Sequence, residues 1–193
     1  RKFVGYGKLS GKSLDELRTL VKAQRNLRAL GTRHCFNKIA DSRAALLTLK
    51  SMPEEVSINA AAKTVTVNAG ITYGRLAQEL DAKGFALHNL ASLPHISVAG
   101  SCSTGTHGSG EGNRNLSGAV AGIEMVTANG EIVRMSRQQD GTTFRGAVVS
   151  LGALGVMIRV TLDIQPTFAM RQYVYENMPM RVVKDNFDAI QAS

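Results

Sequence analysis

The sequence is poor in cysteine, in aromatics and in proline: 193 residues hold two Cys, no Trp, four Pro, and only 5% Phe, Trp and Tyr together. Two cysteines cannot staple a disulfide scaffold, so the fold must rest on an apolar core. A hydrophobic content of 44% supplies one domain with a core, or two small lobes sharing one. Scarce aromatics and the lack of a reader motif argue against nucleic acid as a partner. No uncharged apolar stretch approaches the roughly 20 residues of a membrane span. His34, Cys35, His95, Cys102 and His107 follow no zinc-finger or ribbon spacing, and there is no CxxC or HExxH, so no metal is expected. A Gly-x-Ser-x-Gly elbow for Ser/His/Asp hydrolysis is also missing.

Charge is present but unevenly placed. The net charge is +8, and residues 1–55 carry twelve Lys/Arg against five Asp/Glu, while residues 111–193 balance at eight each. A basic N-terminal third suits phosphate, whether of nucleic acid, a membrane or a phosphorylated cofactor. Lys12, Arg18, Lys22 and Arg25 also read simply as a solvated helix face. The chain opens on Arg1 rather than Met and shows no signal-like apolar stretch. The expected location is cytoplasmic, with the N-terminus open to an upstream segment.

The most informative absence is local. Ala91–Gly110 contains no Lys, Arg, Asp or Glu and is built from Gly, Ser, Thr and His with a few apolar anchors. A surface loop normally carries charge, and a core strand does not hold this much Gly and Ser. Ile96, Val98 and Ala99 would be misplaced in a flexible linker, and Pro94 adds stiffness. Buried backbone must find hydrogen-bond partners, and glycine lets backbone approach a ligand closely. The run therefore reads as backbone wrapped around a large ligand with hydrogen-bonding edges.

A second stretch, Arg28-Ala-Leu-Gly-Thr-Arg-His34, reads as a strand ending at Leu30 and a turn at Gly31. Successive N–H groups in such a turn form an anion nest, and Arg33 adds a fork for phosphate. The turn matches neither Walker A nor Gly-x-Gly-x-x-Gly.

The remaining pattern is mixed. A helix is expected over 13–24, with Ser13 as N-cap and Glu16 completing a capping box. Strands are expected at 27–30, 45–49, 56–59 and 64–68, and a helix capped by Thr72 runs to Leu80 and closes at Gly84. A long coil with short strands follows to Asn115. A hairpin turns at Asn129-Gly130 between strands 122–127 and 131–135. Residues 143–149 are a short helical stretch, 155–164 a strand, and 171–193 a strand followed by a helix. The fold class is α+β, without the regular alternation of a doubly wound sheet.

Ala29–Asn37, Leu90–Gly100, Thr104-Gly-Thr-His-Gly-Ser-Gly110 and Ser150-Leu-Gly-Ala-Leu-Gly-Val156 together resemble the flavin domain of the vanillyl-alcohol oxidase/p-cresol methylhydroxylase superfamily. Within it they are most similar to the alditol (xylitol, sorbitol) oxidases. The resemblance implies a PCMH-type domain of two α+β lobes holding FAD. Ala29, Leu30, Gly31, Thr32, Arg33, His34 and Cys35 would cradle the pyrophosphate, with His34 bonded covalently to the flavin. A neutral imidazole is a competent nucleophile toward an activated methyl. Ser97, Gly100, Ser101, Cys102, Ser103, His107 and Val156 match positions that touch the cofactor. Ser92 matches a position beside the reactive N5/C4a edge, and the small Ala91 would leave oxygen a path. Cys35 departs from the family, where Ser is frequent.

The function this implies is hydride transfer from a primary alcohol of a polyol to flavin N5, with O2 as acceptor and aldehyde and peroxide as products. The alternatives are a sugar-lactone oxidase or dehydrogenase, and a flavin-binding module without catalysis. Residues 1–166 are expected to form the FAD-binding domain. Residues 167–193 would lead into a substrate domain beyond residue 193 or on another chain.

Overall fold

A computed structural model of the chain describes residues 8–10, 12–110 and 112–192. Residues 1–7, 11 and 111 of the expected FAD-binding unit lie outside the described residues, as does Ser193 of the C-terminal segment.

Chain order begins with a small parallel unit. Strand β1 (Lys8–Ser10) leads into helix α1 (Leu14–Lys22), then β2 (Leu27–Ala29) and β3 (Ala45–Thr48). The sheet order is β1-β3-β2, and both pairings are parallel. Parallel strands need a crossover, and α1 supplies the one from β1 to β2, which lie on either side of β3. That helix starts where expected: the Glu16 N–H donates to Ser13 Oγ at 3.2 Å, and the Lys12 N–H donates to the Glu16 carboxylate at 2.8 Å. The return contact lands one residue before the N-cap, a variant of the capping box. Asp15 and Glu16 sit in the first turn and Lys22 in the last, matching the helix dipole. Leu17 and Val21 are buried beneath it; Lys12, Arg18, Lys22 and Arg25 are exposed, but Arg18 is tied to the turn at Gly130, its Nε donating to the Gly130 carbonyl at 2.8 Å.

The larger sheet is antiparallel. It contains β4 (Val56–Asn59), β5 (Thr64–Asn68), β7 (Val120–Val126), β8 (Ile132–Ser136) and β9 (Val156–Pro166), ordered β4-β5-β9-β7-β8. A short β6 (Phe85–Leu87) pairs with the end of β9. Along β9, Val156, Ile158, Val160, Leu162 and Ile164 are all buried while the residues between are partly exposed, the period-2 pattern of a strand with one covered face. Helix α2 (Tyr73–Asp81) covers that face with Tyr73, Leu76 and Leu80. Helix α4 (Arg137–Val148) adds Phe144, Ala147 and Val148, and kinks at Gly141, whose φ is 51°. Each such side chain contributes about 1.5–3 kcal/mol of burial free energy.

The two sheets share a seam. Leu17, Val21 and Leu47 from the small unit pack with Val126, Val156 and Ile158 from the large one. Leu49 touches both clusters. The architecture is α+β, as the sequence pattern implied. Three local expectations are corrected. Within the stretch expected as coil with short strands, Val98–Ser103 forms helix α3. The helix expected at 143–149 is preceded by a helical turn that starts at Arg137, where Ser136 accepts from the Gln139 N–H at 3.2 Å, and that is broken from it at Gly141. No strand forms between residues 171 and 179; that stretch is irregular, followed by α5 (Met180–Asp185) and α6 (Phe187–Gln191).

Candidate cofactor-binding site

The basic turn and the charge-free run meet at one side chain. Strand β2 ends at Ala29, and the Leu30 N–H still donates to the Leu47 carbonyl at 2.7 Å. The chain then turns through Gly31 and Thr32. Ser97, immediately before α3, donates its N–H to Thr32 Oγ1 at 3.2 Å. A Cβ placed on Gly31 would lie 2.9 Å from Ser97 Oγ, and one on Gly100 would lie 2.7 Å from the same atom. Both distances are below what real side chains show, so a larger residue at either position would force the Ser97 hydroxyl to move. Arg33 follows with φ of 66°, a left-handed conformation costing about 1 kcal/mol or more in a non-glycine residue. A left-handed residue inside a turn is one half of the alternation that forms an anion nest. The exposed Arg33 stands beside it.

The charge-free run is fixed from behind by α2. The Gly74 N–H donates to the Pro94 carbonyl at 2.7 Å, the Tyr73 N–H to the Ile96 carbonyl at 3.0 Å, and the Val98 N–H to the Ile71 carbonyl at 2.9 Å. Gly74 is a third tight glycine: a Cβ on it would meet Pro94 Cβ at 2.9 Å and its carbonyl oxygen at 3.0 Å. The signal that could have found it is a glycine in the first turn of a helix, opposite an ordered proline. Val98, Ala99, Ser101 and Cys102 are buried.

A third stretch closes on the same place. Arg28 donates through Nη1 to the Leu151 carbonyl at 3.2 Å, and the Leu151 N–H donates to the Ser103 carbonyl at 3.2 Å. Leu151 itself has φ of 55°. The loop before β9 thus bridges β2 and the end of α3. Ala29 and Val156 both border a cleft of about 210 Å³ whose walls include Val21, Leu27, Val126 and Leu154 and whose rim includes Gln24, Arg25 and Asn26. That rim was not singled out from sequence, because Gln, Arg and Asn after a helix read as ordinary solvated residues.

The expected residues divide by where their side chains go. That of Thr32 meets the Ser97 N–H at the turn, that of Ser97 lies beside Gly31 and Gly100, and that of Arg33 is exposed. His34 packs against His95, ring centroids 4.6 Å apart and planes at 54°. Ser101 donates its hydroxyl to the carbonyls of Ser97 and Val98. The Cys102 thiol is fully buried, 3.6 Å from the Tyr73 hydroxyl and 3.7 Å from the Leu116 carbonyl. Burial pushes that thiol up to about 11, and burial first and then Cys102 push the Tyr73 phenol well above its ordinary range. Val156 is buried in the seam. The side chains of Cys102 and Val156 are thus closed to a ligand. Ala91 is half-buried against the core and Ser92 is exposed. Exposed His107 is within hydrogen-bond distance of the Gly108 carbonyl, its ring Nδ1 at 3.0 Å. Cys35 is half-buried. Phe36 (95% exposed), Leu90 (55%) and Leu154 (52%) present apolar surface around these loops. Isolated apolar residues in loops carry no sequence signal of exposure.

The basic turn, α3 and the loop before β9 thus come together, with exposed Arg33 and the apolar Phe36, Leu90 and Leu154 on their surface. The chain belongs to the FAD binding domain family, whose profile matches residues 11–136, and its cofactor is FAD. It is 45% identical over 162 residues to an alditol oxidase of Streptomyces sp., a match covering 83% of this chain and 38% of that one. It is 30% identical to L-gulonolactone oxidase of Bos taurus, over 92% of this chain and 41% of the relative. It is 32% identical to D-arabinono-1,4-lactone oxidase of Yarrowia lipolytica, over 82% and 32%. The chain spans about a third to two-fifths of the length of these relatives. Among the described residues no helix is long and apolar enough to cross a membrane.

Proposed function

We propose that this chain is the FAD-binding domain of an oxidase acting on a primary alcohol of a sugar alcohol. The observation that carries the reading is Ser97 wedged between Gly31 and Gly100, which joins both ligand-type stretches into one cradle. When bound, the flavin accepts hydride at N5 from the carbinol carbon and returns the electrons to O2, leaving an aldehyde and hydrogen peroxide. The backbone of Ala29–Cys35 holds the pyrophosphate, with Arg33 offsetting its charge. Ser97–Ser103 holds the ribityl side, and His34 forms the covalent link. Exposed Ser92 faces the substrate edge, and Ala91 keeps the oxygen path narrow but open. The base that takes the hydroxyl proton belongs to a further domain. Residues 1–166 form the FAD-binding unit, and residues 167–193 lead toward that domain. Met170 (83% exposed), Tyr173 and Tyr175 on this segment are in keeping with that assignment, since exposed large side chains suit a surface that another domain covers.

The higher identity to an alditol oxidase than to the lactone oxidases favours a polyol over an aldonolactone. The test is peroxide release by the full-length, FAD-loaded protein. Turnover with xylitol or sorbitol at least tenfold faster than with an aldonolactone is expected. The reverse order would move the protein to the lactone oxidases, and a reducible flavin with no turnover on either would leave a binding module.

A further inference from the structure

We propose that His95 is a positioning residue for His34: its ring, carried on backbone held at the start of α2, narrows the orientations of the His34 imidazole toward the one needed to bond to the flavin. The inference rests on the reading of His34 as the attachment point. Its own basis is the ring contact, with centroids 4.6 Å apart and planes tilted by 54°. Tilted contacts at such separations are a favoured arrangement for flat rings.

The two partners are held very differently. His95 lies between two pinned residues. The Pro94 carbonyl accepts from the Gly74 N–H at 2.7 Å, and the Ile96 carbonyl accepts from the Tyr73 N–H at 3.0 Å. Gly74 packs so closely on Pro94 that a Cβ would collide with it. The backbone beneath His95 is therefore set by the start of α2. His34 sits in a stretch, residues 30–44, that contains neither strand nor helix. It follows directly on Arg33 in its left-handed conformation. An exposed imidazole with two side-chain torsions on such a loop samples several rotamers. His95 is exposed too, but its backbone is held at the start of α2, so contact with its ring restricts the His34 rotamers, which is how remote geometry enters the rate of a bond-forming step.

In that step a nitrogen of His34 joins the methyl carbon at position 8 of the flavin. One methyl C–H hydrogen and the imidazole N–H leave as protons. The two electrons pass to the flavin ring and are taken up by dioxygen, released as hydrogen peroxide. His95 makes and breaks no bond; its ring face sets where the His34 nitrogen points.

The experiment follows acid-stable flavin. Full-length apoprotein is incubated with FAD in air, samples are acid-precipitated over time, and flavin fluorescence is read on the protein band. FAD affinity before attachment is measured separately by absorbance titration. Wild type should become labelled and His34→Ala should not. His95→Ala should label about tenfold more slowly, the scale set by losing one ring contact, while binding FAD with unchanged affinity. His95→Phe, which keeps the ring, should restore the rate to within about twofold. If His95→Ala does not fold, His95→Gln takes its place with the same expected rate. Labelling of the Ala or Gln variant at the wild-type rate would overturn the inference and leave the His34 reading standing. A Phe variant as slow as Ala would also overturn it. Wild type that never acquires acid-stable flavin would remove the underlying reading, and this inference with it.

Discussion

Ala29–Cys35 and Ala91–Gly110 meet at Ser97 but are held by different means. The basic turn leaves the edge of a three-stranded sheet, and after the Leu30 N–H bond to Leu47 it enters a stretch without strand or helix. It is mostly exposed and contains a left-handed arginine. The charge-free run is pinned to α2 by three backbone hydrogen bonds and buries Val98, Ala99, Ser101 and Cys102. One stretch presents groups and the other is the surface against which they are presented. A ligand cradle needs both, because exposed donors without a rigid backing lose orientation, and a rigid backing without exposed donors has nothing to bind with. Substitutions in the run should therefore act on folding, and substitutions in the turn on binding.

The largest expected effect tests the first half of that contrast. Val98 is 0% exposed within the larger core. Val98→Asp would bury a carboxylate with no partner charge, which costs upward of about 3 kcal/mol. Denaturant unfolding should show a loss of that size, and much of the chain should be unfolded at 37 °C. A soluble variant of near-normal midpoint would mean that the run is a surface loop after all.

The buried Tyr73–Cys102 contact gives the run a pH signature. An unperturbed thiol titrates near 9.0, and Cys102 is pushed to about 11 by burial. Above pH 9 the unfolded chain loses this proton while the folded state keeps it, so the unfolded state binds fewer protons and stability falls as pH rises. The contribution is complete below pH 9 and lost by about pH 11. It amounts to roughly 2–3 kcal/mol, with Tyr73 acting in the same direction. Thermal unfolding measured from pH 8 to 11 should show a steep fall that flattens in Cys102→Ala. Equal slopes in the two proteins would show that the thiol is not buried in solution.

The same contrast explains what was legible in the sequence. The elements with regular periodicity, α1, α2, β5 and β9, are found where apolar spacing and caps such as Ser13 and Thr72 place them. The meeting of the two loops was legible only as two separate ligand-type stretches. Nothing in residues 31 or 97 alone states that a serine side chain will fill the space between Gly31 and Gly100. Helix α3 was missed because Val-Ala-Gly-Ser-Cys-Ser has low intrinsic helix propensity; it forms because α2 and the sheet hold its apolar side. The Cys102 side chain faces the core for the same reason, which no local pattern announces. The covering of Pro94 by Gly74 depends on a contact between distant residues and leaves only a glycine inside a helix as its trace.

A smaller effect probes the point where the two stretches touch. Gly31→Ala would place a methyl 2.9 Å from Ser97 Oγ. The strain should cost about 1–2 kcal/mol and weaken FAD binding about tenfold, read by absorbance titration. Ser97→Ala removes the oxygen that is struck, so the double variant should recover at least about 1 kcal/mol relative to additive behaviour. Additive losses would mean that Gly31 and Ser97 do not contact each other in the folded protein, and that the cradle is not assembled as described.

The smallest expected effect concerns the turn alone, and its two readouts should move in opposite directions. Arg33 is exposed and holds φ of 66°, a conformation glycine adopts without penalty. Arg33→Gly relieves that strain but adds backbone freedom to the unfolded chain, and these terms partly cancel. The midpoint of unfolding should thus rise slightly or stay within about 0.5 kcal/mol of wild type. FAD affinity should fall about five- to tenfold, because a charge-assisted contact to pyrophosphate is removed while the nest geometry remains. Raising the salt concentration should weaken wild-type binding and leave the variant nearly unaffected. If the variant lost stability and kept its affinity, the left-handed arginine would be a structural feature of the turn. Presentation of charge would then have to be assigned to another residue of the basic N-terminal third.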